Sequence, residues 1–591
     1  MSEVAKSFLC GGVSKSFFKT GFAFMGGPKG RARGAVWLRA IVAVVLATFV
    51  FMTTRSEAQS VVFEKWTETT PLVEPNSPAA MATDSAGNVI VVGNWGDQPL
   101  AIKYDTRGNT VWKNWLSSQA IEMTSGAVAV AVDAADDVFV LSNLNVTISL
   151  QESNISDTAL AKYNAAGVRQ WVIYSIVNTP GVALAVTPVG EVYVLGWNQS
   201  GGMVTAKYDA NGTQIWARDQ AVAFDESVNA GGPIAIRLDG QGNVYVAANN
   251  GLAGEILRYD PNGNLLNMIG EGQLGVVQGY RVDAAGNSYV LGGAAGTQDR
   301  IVAKFGPAGT LEWLNDLGPE TDSQTEPEPR GLIDDTLKDV GLDAAGNVYI
   351  LQDEPSVPAT PSGVDMVATK FSASGVVLWT SRFNSSADHS ATDEATALAV
   401  SSAGEAYMTG VAAAPSPVFF QTTTVKYNTT GAQVWVQSLE LEYGNEAQQS
   451  GAVAIALGAG GQLFVVSTGI VGESWVTTDY VQDPAEVKPA SVAFGNQTVG
   501  TPSAETTVAL RNAGNAPMMF RTINVTGNIS DFHLGNNCPD TLQPGASCSL
   551  FLTFTPSALG QRTATVIVRD NWPGNATDPT TITLTGTGIA P

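Results

Sequence analysis

Ala206-Lys207-Tyr208-Asp209-Ala210-Asn211-Gly212-Thr213-Gln214-Ile215-Trp216 decides how this chain is read, because nearly the same words recur along it. A basic residue and an aromatic are followed by glycine four residues past the aromatic and by tryptophan eight past it. The pattern stands at Lys103-Tyr104…Gly108…Trp112, Lys162-Tyr163…Gly167…Trp171 and Lys304-Phe305…Gly309…Trp313. It returns at Lys370-Phe371…Gly375…Trp379 and Lys426-Tyr427…Gly431…Trp435. One further copy, Arg258-Tyr259…Gly263, carries Asn267 in place of tryptophan. A repeat of this kind specifies an architecture strongly and a function weakly.

Around each copy lies the rest of a unit. An apolar run of strand length opens it, as in Ala127-Val128-Ala129-Val130-Ala131-Val132. A turn such as Asp283-Ala284-Ala285-Gly286-Asn287 follows, then a second strand, the Lys-Tyr strand, a second tight turn and the tryptophan strand. Aspartate opens these turns because its carboxylate accepts backbone N–H groups, and glycine closes them because it tolerates positive φ. Four short strands in about 45–60 residues make one propeller blade.

Seven complete units begin near Ala80, Ala127, Ala183, Ile234, Tyr280, Val340 and Ala397, and an eighth begins at Val453 but stops after Tyr480. Its missing strand stands at the other end, around Phe63 and Trp66. The expected fold is therefore all-β: an eight-bladed β-propeller over 59–484, closed by its N-terminal strand, with an immunoglobulin-like β-sandwich over 485–591. Closure removes exposed sheet edges. Seven blades with the odd pieces packed outside is the alternative.

Residues 1–58 read as a signal peptide. Lys29, Arg31, Arg33 and Arg39 precede an apolar run over 40–52, and Ser56-Glu57-Ala58 supplies small residues for cleavage. A start at Met25 gives a leader of ordinary length. The 13-residue run is short beside the roughly 20 residues of a membrane span, so no span is expected after the leader is removed. The formal charge of −23 argues against nucleic acid as a partner, since phosphate neutralisation needs Lys and Arg. Cys10 falls in the leader, and Cys538 and Cys548, close together in an exported chain, are expected to form a disulfide.

The units 185–196 and 206–216 resemble the bacterial β-propeller repeat family often labelled SBBP, which implies an exported propeller but no defined reaction. Phe494-Gly495-Asn496-Gln497-Thr498-Val499-Gly500, Leu510-Arg511-Asn512-Ala513-Gly514 and Phe554-Thr555-Pro556 resemble the choice-of-anchor D, abnormal-spindle/hydin-type immunoglobulin-like module. Such modules commonly flank bacterial surface domains.

The turns inside each unit are tight and uniform, whereas the connections at 143–157, 353–365, 412–421, 219–232, 316–337 and 384–395 are long and unlike one another. Antiparallel order sends all the long ones to the same end of the sheets, where binding is expected to reside. The candidate residues there are Glu320, Asp322, Glu326, Glu328, Asp334, Asp335, Asp353, Glu354 and His389. The repeated tryptophans are read as packing between blades, and the repeated Lys as snorkelling or pairing with a turn aspartate. No catalytic constellation, metal site or cofactor is expected: the two histidines belong to no Ser/His/Asp, Cys/His or metal-spaced cluster.

The functional expectation is a secreted, periplasmic or cell-surface bacterial protein, non-enzymatic, that binds a glycan or protein at the envelope. The alternatives are a propeller enzyme, either quinoprotein-like or a carboxylate-based hydrolase or lyase, and an envelope-complex scaffold. Quinoprotein dehydrogenases share the Gly…Trp ending, but their paired cysteines and calcium constellation are not found here.

Overall fold

The computed structural model describes residues 62–591 except 72–76, 97, 116–122, 149–152, 175–179, 199–201, 222–230, 298, 320–336, 356–362, 387–390, 414–419, 440–450, 459–461, 469–473, 483–484, 513–516, 544 and 572–578. The expected signal peptide, 1–58, lies outside the described residues, as do Glu320, Asp322, Glu326, Glu328, Asp334, Asp335 and His389.

The described chain is all-β. Eight four-stranded antiparallel sheets, each resembling a propeller blade, carry the repeat, and in seven of them the strand order is the sequence order. The innermost strands are Pro78–Thr83, Met123–Val132, Gly181–Val186, Gly232–Leu238, Leu274–Val282, Leu337–Leu342, Glu394–Val400 and Gly451–Leu457. Each lies against the next, and Gly451–Leu457 lies against Pro78–Thr83, so the contacts run in a cycle.

The second strands are the driest. In Val89–Trp95 the first five residues are buried, which explains the unbroken apolar run Val-Ile-Val-Val where a half-exposed strand would alternate. The fourth strands face solvent and do alternate more, as in Gln214–Gln220. Apolar clusters fill the gaps between neighbouring sheets, for example Ile90, Val92, Val138, Val140 and Ala161 around Trp112.

The eighth sheet is built from both ends of the repeat region, in the order Val62–Pro71, Ser474–Gln482, Gln462–Thr468, Gly451–Leu457. Its register repeats that of the others. In the regular sheets the dyad lysine faces the tryptophan and one residue is then skipped, as with Lys103 opposite Trp112 and Tyr104 opposite Thr110. In the closing sheet Asp479 faces Trp66 and Tyr480 faces Glu64, so Lys65 is the skipped residue. The bulge falls at the same place, and Trp66 occupies the tryptophan position of the repeat. The side chains of Phe63 and Trp66 themselves are outside the described set.

Three expected loops are shorter than the sequence suggests. Val138–Ile148 and Ser153–Tyr163 pair out to Ile148 opposite Ser153, converting most of 143–157 into a long hairpin. Pro355 opposite Val364 and Ala413 opposite Phe420 extend two others likewise. The β-branched run Val146-Thr147-Ile148 favours strand, and pairing satisfies backbone groups that a loop would leave to water.

Beyond the repeat, two further sheets stack. One has four strands, Ala485–Lys488, Thr506–Asn512, Ser547–Phe554 and Phe532–Asn536; the other has five, Ser491–Thr498, Thr580–Ile589, Gly560–Asp570, Met518–Gly527 and Thr541–Leu542. Strict alternation in Ser547–Phe554 turns Cys548, Leu550, Leu552 and Phe554 toward Val566, Val568, Ile582 and Leu584. Cys538 and Cys548 are joined in a disulfide. The strands Ala485–Lys488, Phe532–Asn536 and Thr541–Leu542 escape sequence reading because they are short and half polar.

Candidate functional site

The two ends of the sheets are chemically different. At the tight-turn end the same wiring recurs. Asp343 Oδ1 accepts the N–H groups of Ala345 (3.0 Å) and Asn347 (2.9 Å), while its Oδ2 accepts Asn347 Nδ2 (2.7 Å) and the Tyr349 hydroxyl (3.0 Å). Asp239 and Asp283 repeat the arrangement with Tyr245 and Tyr289. Burial pushes Asp343 up, but the hydrogen bonds from Asn347 and Tyr349 and the nearby Lys370 charge override it and leave the carboxyl below its ordinary value.

The dyad lysine belongs to this wiring. Lys103 Nζ lies 2.7 Å from Asp84 Oδ2 with both side chains buried, and Lys162, Lys207, Lys370 and Lys426 reach Asp137, Glu191, Asp343 and Glu405. Each repeated tryptophan ties one sheet to the next. The indole N–H groups of Trp171, Trp216, Trp313 and Trp379 donate to Ala210, Pro261, Ala373 and Thr429, at 3.0–3.1 Å, in the following sheet's second turn. The glycine of that turn lies under the ring: a Cβ on Gly263 would sit 2.7 Å from Trp216. Gly263 also has φ +79°, so both packing and backbone require glycine there. Asn267 keeps the bond without the ring, donating Nδ2 to Pro307 O at 3.3 Å.

The long-loop end holds groups that occur once. Asp353 and Glu354, named from the sequence, end the strand Val348–Pro355. Asp353 Oδ2 pairs with Lys338 Nζ (3.1 Å) and Oδ1 accepts the Ala395 N–H (2.7 Å). Burial nevertheless raises this carboxyl to about 6, the Lys338 charge opposing it. Glu354 pairs with Arg382 Nη2 (2.5 Å) and accepts a bond from Gln352.

Arg382 also holds Asp365 (2.9 Å) and the Pro355 carbonyl (3.0 Å), and Asn384 donates to the other Asp365 oxygen. Fully buried Asp393 accepts the N–H groups of Ser385 (2.7 Å) and Ala413 (3.1 Å). Burial raises Asp393, and the Asp365 charge adds to that. Sequence reading missed Lys338, Asp365, Arg382, Asn384 and Asp393. Their signal was that each is a charge or amide at a strand end or connection with no counterpart in the repeat.

A second single-copy group stands at this end of another sheet. Trp95 and Trp115 close the strands Val89–Trp95 and Thr110–Trp115, with ring centroids 4.8 Å apart and edge to face. Lys113 Nζ lies 3.6 Å from the Trp95 centroid, its ammonium lowered by burial. Neither ring belongs to the repeated tryptophan position, and Trp115 is exposed. The arrangement offers aromatic faces and a net acidic hydrogen-bonding cluster. Among the described residues no group of three or more His, Cys, Asp or Glu is placed to hold a metal ion. Among them, too, no helix is long and apolar enough to cross a membrane.

No curated protein sequence matches the chain. Among solved structures, the chain is similar to the quinohemoprotein alcohol dehydrogenase from Comamonas testosteroni over 73% of its own length and 78% of that chain, at 11% identity and a TM-score of 0.44. It is similar to the β-propeller domain of the trilobed protease from Pyrococcus furiosus over 62% and 96%, at 6% identity and 0.36. The ASH/PapD-like domain 7 of human CEP192 is similar over 18% and 87%, at 16% identity and 0.16. These are resemblances of fold, and no functional reading rests on them. The family described as ASH: Abnormal spindle-like microcephaly-assoc'd, ASPM-SPD-2-Hydin matches residues 480–577, the stretch that holds most of the disulfide-bearing sandwich.

Proposed function

We propose that the chain is an exported, non-enzymatic binding protein whose long-loop end engages a glycan or a protein at a bacterial cell envelope. The observation that carries this reading is the segregation of single-copy groups. Asp353, Glu354, Asp365, Arg382 and Asp393, together with Trp95 and Trp115, stand at the long-loop end, and the repeated wiring stands at the other. Aromatic faces on one sheet and paired Asp and Arg groups on another, at the same end, suit sugar hydroxyls and polar protein surfaces respectively. The described carboxylates Asp353, Asp365 and Asp393 are buried and engaged by Lys338, Arg382 and backbone N–H groups, which favours a rigid frame that holds the long-loop end over general acid–base work.

In this reading the eight sheets are eight blades of one closed ring over 59–484, of the SBBP type, with the sandwich over 485–591 as spacer or docking module, and 1–58 as the leader. The cyclic contacts and the register of Trp66 opposite Asp479 support it. Trp66→Ala combined with Phe63→Ala should lower the melting temperature sharply, and an unchanged melt would sink the closed eight-blade reading.

The functional test is a glycan and protein array probed with the full chain and with two variants. One variant replaces 316–337 and the other is Arg382→Ala. Retained signal in both variants, or no signal with the parent chain, would count against a long-loop site.

A further inference from the structure

The innermost strands can be aligned by register alone, residue for residue, across all eight sheets. One position is small in six of them: Ala82, Ala131, Ala185, Gly341, Ala399 and Ala456. In two consecutive sheets it is arginine instead, Arg237 opposite Tyr245 and Arg281 opposite Tyr289. Two residues earlier the position is again alanine or glycine in seven sheets, and the exception is Asp339 in the sheet that follows Arg281. Three charges thus stand on three successive strands around the axis of the cycle, where the other strands present hydrogens and methyls.

The two arginines take the same pose. Arg237 Nη1 donates to the Ile236 carbonyl (2.9 Å), and Arg281 Nη1 donates to the Tyr280 carbonyl (3.1 Å). Arg281 then reaches into the next sheet, where Nη2 meets Asp339 Oδ1 at 2.9 Å. Asp339 is held for this role, since its carboxylate also accepts the N–H groups of Val340 (2.8 Å) and Leu398 (3.2 Å). The corresponding partner of Arg237 would stand at residue 279, opposite Leu291, and that residue is Gly279. Among the described residues, then, Arg237 has a carbonyl and no carboxylate.

The turn aspartates two residues on, Asp239 and Asp283, do not supply one. Their oxygens are taken by their own turns and by Tyr245 and Tyr289. Burial and the Arg281 charge beside it pull the Arg237 guanidinium down to about 10, with Asp339 opposing. A half-buried guanidinium with no carboxylate against it gains from a counter-ion.

We infer that Arg237 and Arg281 form an anion site at the axis of the ring, toward the tight-turn end, and that its ligand is a small monocarboxylate. Two guanidiniums and one Asp339 carboxylate leave a single positive charge, which one negative charge neutralises and a dianion oversteps. The planar guanidinium fork matches a carboxylate through two parallel N–H donors. The alanines at the equivalent positions of the other sheets are apolar and partly exposed, whereas Gly341 is packed against Val400 and Leu398, so a short aliphatic tail would lie toward the alanines. The site lies at the opposite end of the sheets from the proposed glycan or protein surface and does not depend on it.

The test is calorimetric titration of the full chain at low ionic strength with sodium acetate, sodium butyrate and sodium sulfate. One butyrate per chain is expected, bound more tightly than sulfate. Arg237→Gln should weaken butyrate at least tenfold, and Asp339→Asn should tighten sulfate relative to butyrate. Circular dichroism melting accompanies each variant. If Arg237→Gln does not fold, Arg237→Lys takes its place, with at least a threefold weakening expected from loss of the fork. Absence of heat with every anion, sulfate preferred by the parent chain, or a folded Arg237 variant binding butyrate as the parent does would each overturn the assignment.

Discussion

The tight-turn end and the long-loop end of the same sheets solve different problems with the same residue types. At the tight-turn end a carboxylate, a lysine and an aromatic meet in sheet after sheet, as at Asp343–Lys370 with Tyr349 and Glu405–Lys426 with Tyr407. At the long-loop end Asp353, Glu354, Asp365 and Arg382 meet once. Recurrence marks scaffold, because whatever every blade needs cannot distinguish one ligand from another. Charge alone is therefore a poor guide to function in this molecule; charge without a counterpart in the repeat is a better one.

If that contrast holds, damage to the recurring wiring should be costly and should not touch binding. Lys103→Met leaves Asp84 buried without its cation and is expected to cost about 3–5 kcal/mol in chemical denaturation. A loss under about 1 kcal/mol would mean that the recurring pair is ornamental to stability. Gly263→Ala drives a methyl into Trp216 and forces a non-glycine residue to positive φ. About 2–4 kcal/mol should be lost, with array signals unchanged in the protein that remains folded.

The smallest effect is one of sign. Asp84, Asp283 and Asp343 are depressed in the fold, because hydrogen bonds from Lys103, Asn88, Asn287 and Asn347 outweigh burial. Their contribution is present above the ordinary carboxylate range and is lost as pH falls through the depressed values. Asp353, raised to about 6 by burial, acts oppositely: the fold binds its proton more readily than the unfolded chain does. Stability at the long-loop end is thus gained as pH falls from about 7 to about 5, a window in which the depressed group is silent. Melting curves across that window should show a shallow rise, reduced in Asp353→Asn. A rise of equal slope in that variant would remove Asp353 as its source.

Much of the architecture was legible because the repeat is anchored by residues with one structural use. A glycine at positive φ beneath a tryptophan is costly to replace, so Gly263 and Trp216 fix both a turn and a junction between sheets. Trp66 was visible for the same reason, as a tryptophan at the wrong end of the chain. The Asp365–Arg382–Glu354 cluster was not legible. Its members come from three strands, and no spacing in the sequence announces which single-copy charges face one another. Arg237 and Arg281 lay between these cases. They break an alanine position, but that position becomes countable only once the inner strands are set in register.

The pairing of the first strand with Ser474–Gln482 has a consequence for folding. The Thr67 and Thr478 hydroxyls meet at 3.1 Å across 411 residues of chain. Bringing such distant segments together from an unstructured chain carries an entropic cost of about 5 kcal/mol beyond a fixed constant, unless the intervening sheets form first and shorten the effective loop. On that ground the first strand is expected to dock after the intervening sheets have formed. Until it docks, Ser474–Gln482 presents an open edge with unpaired backbone groups, and the matching strand of a neighbouring chain fits that edge equally well. Under the closed-ring reading, two chains at high concentration are expected to exchange their first strands through this same register, and size-exclusion chromatography of protein refolded at high concentration would show the resulting dimer.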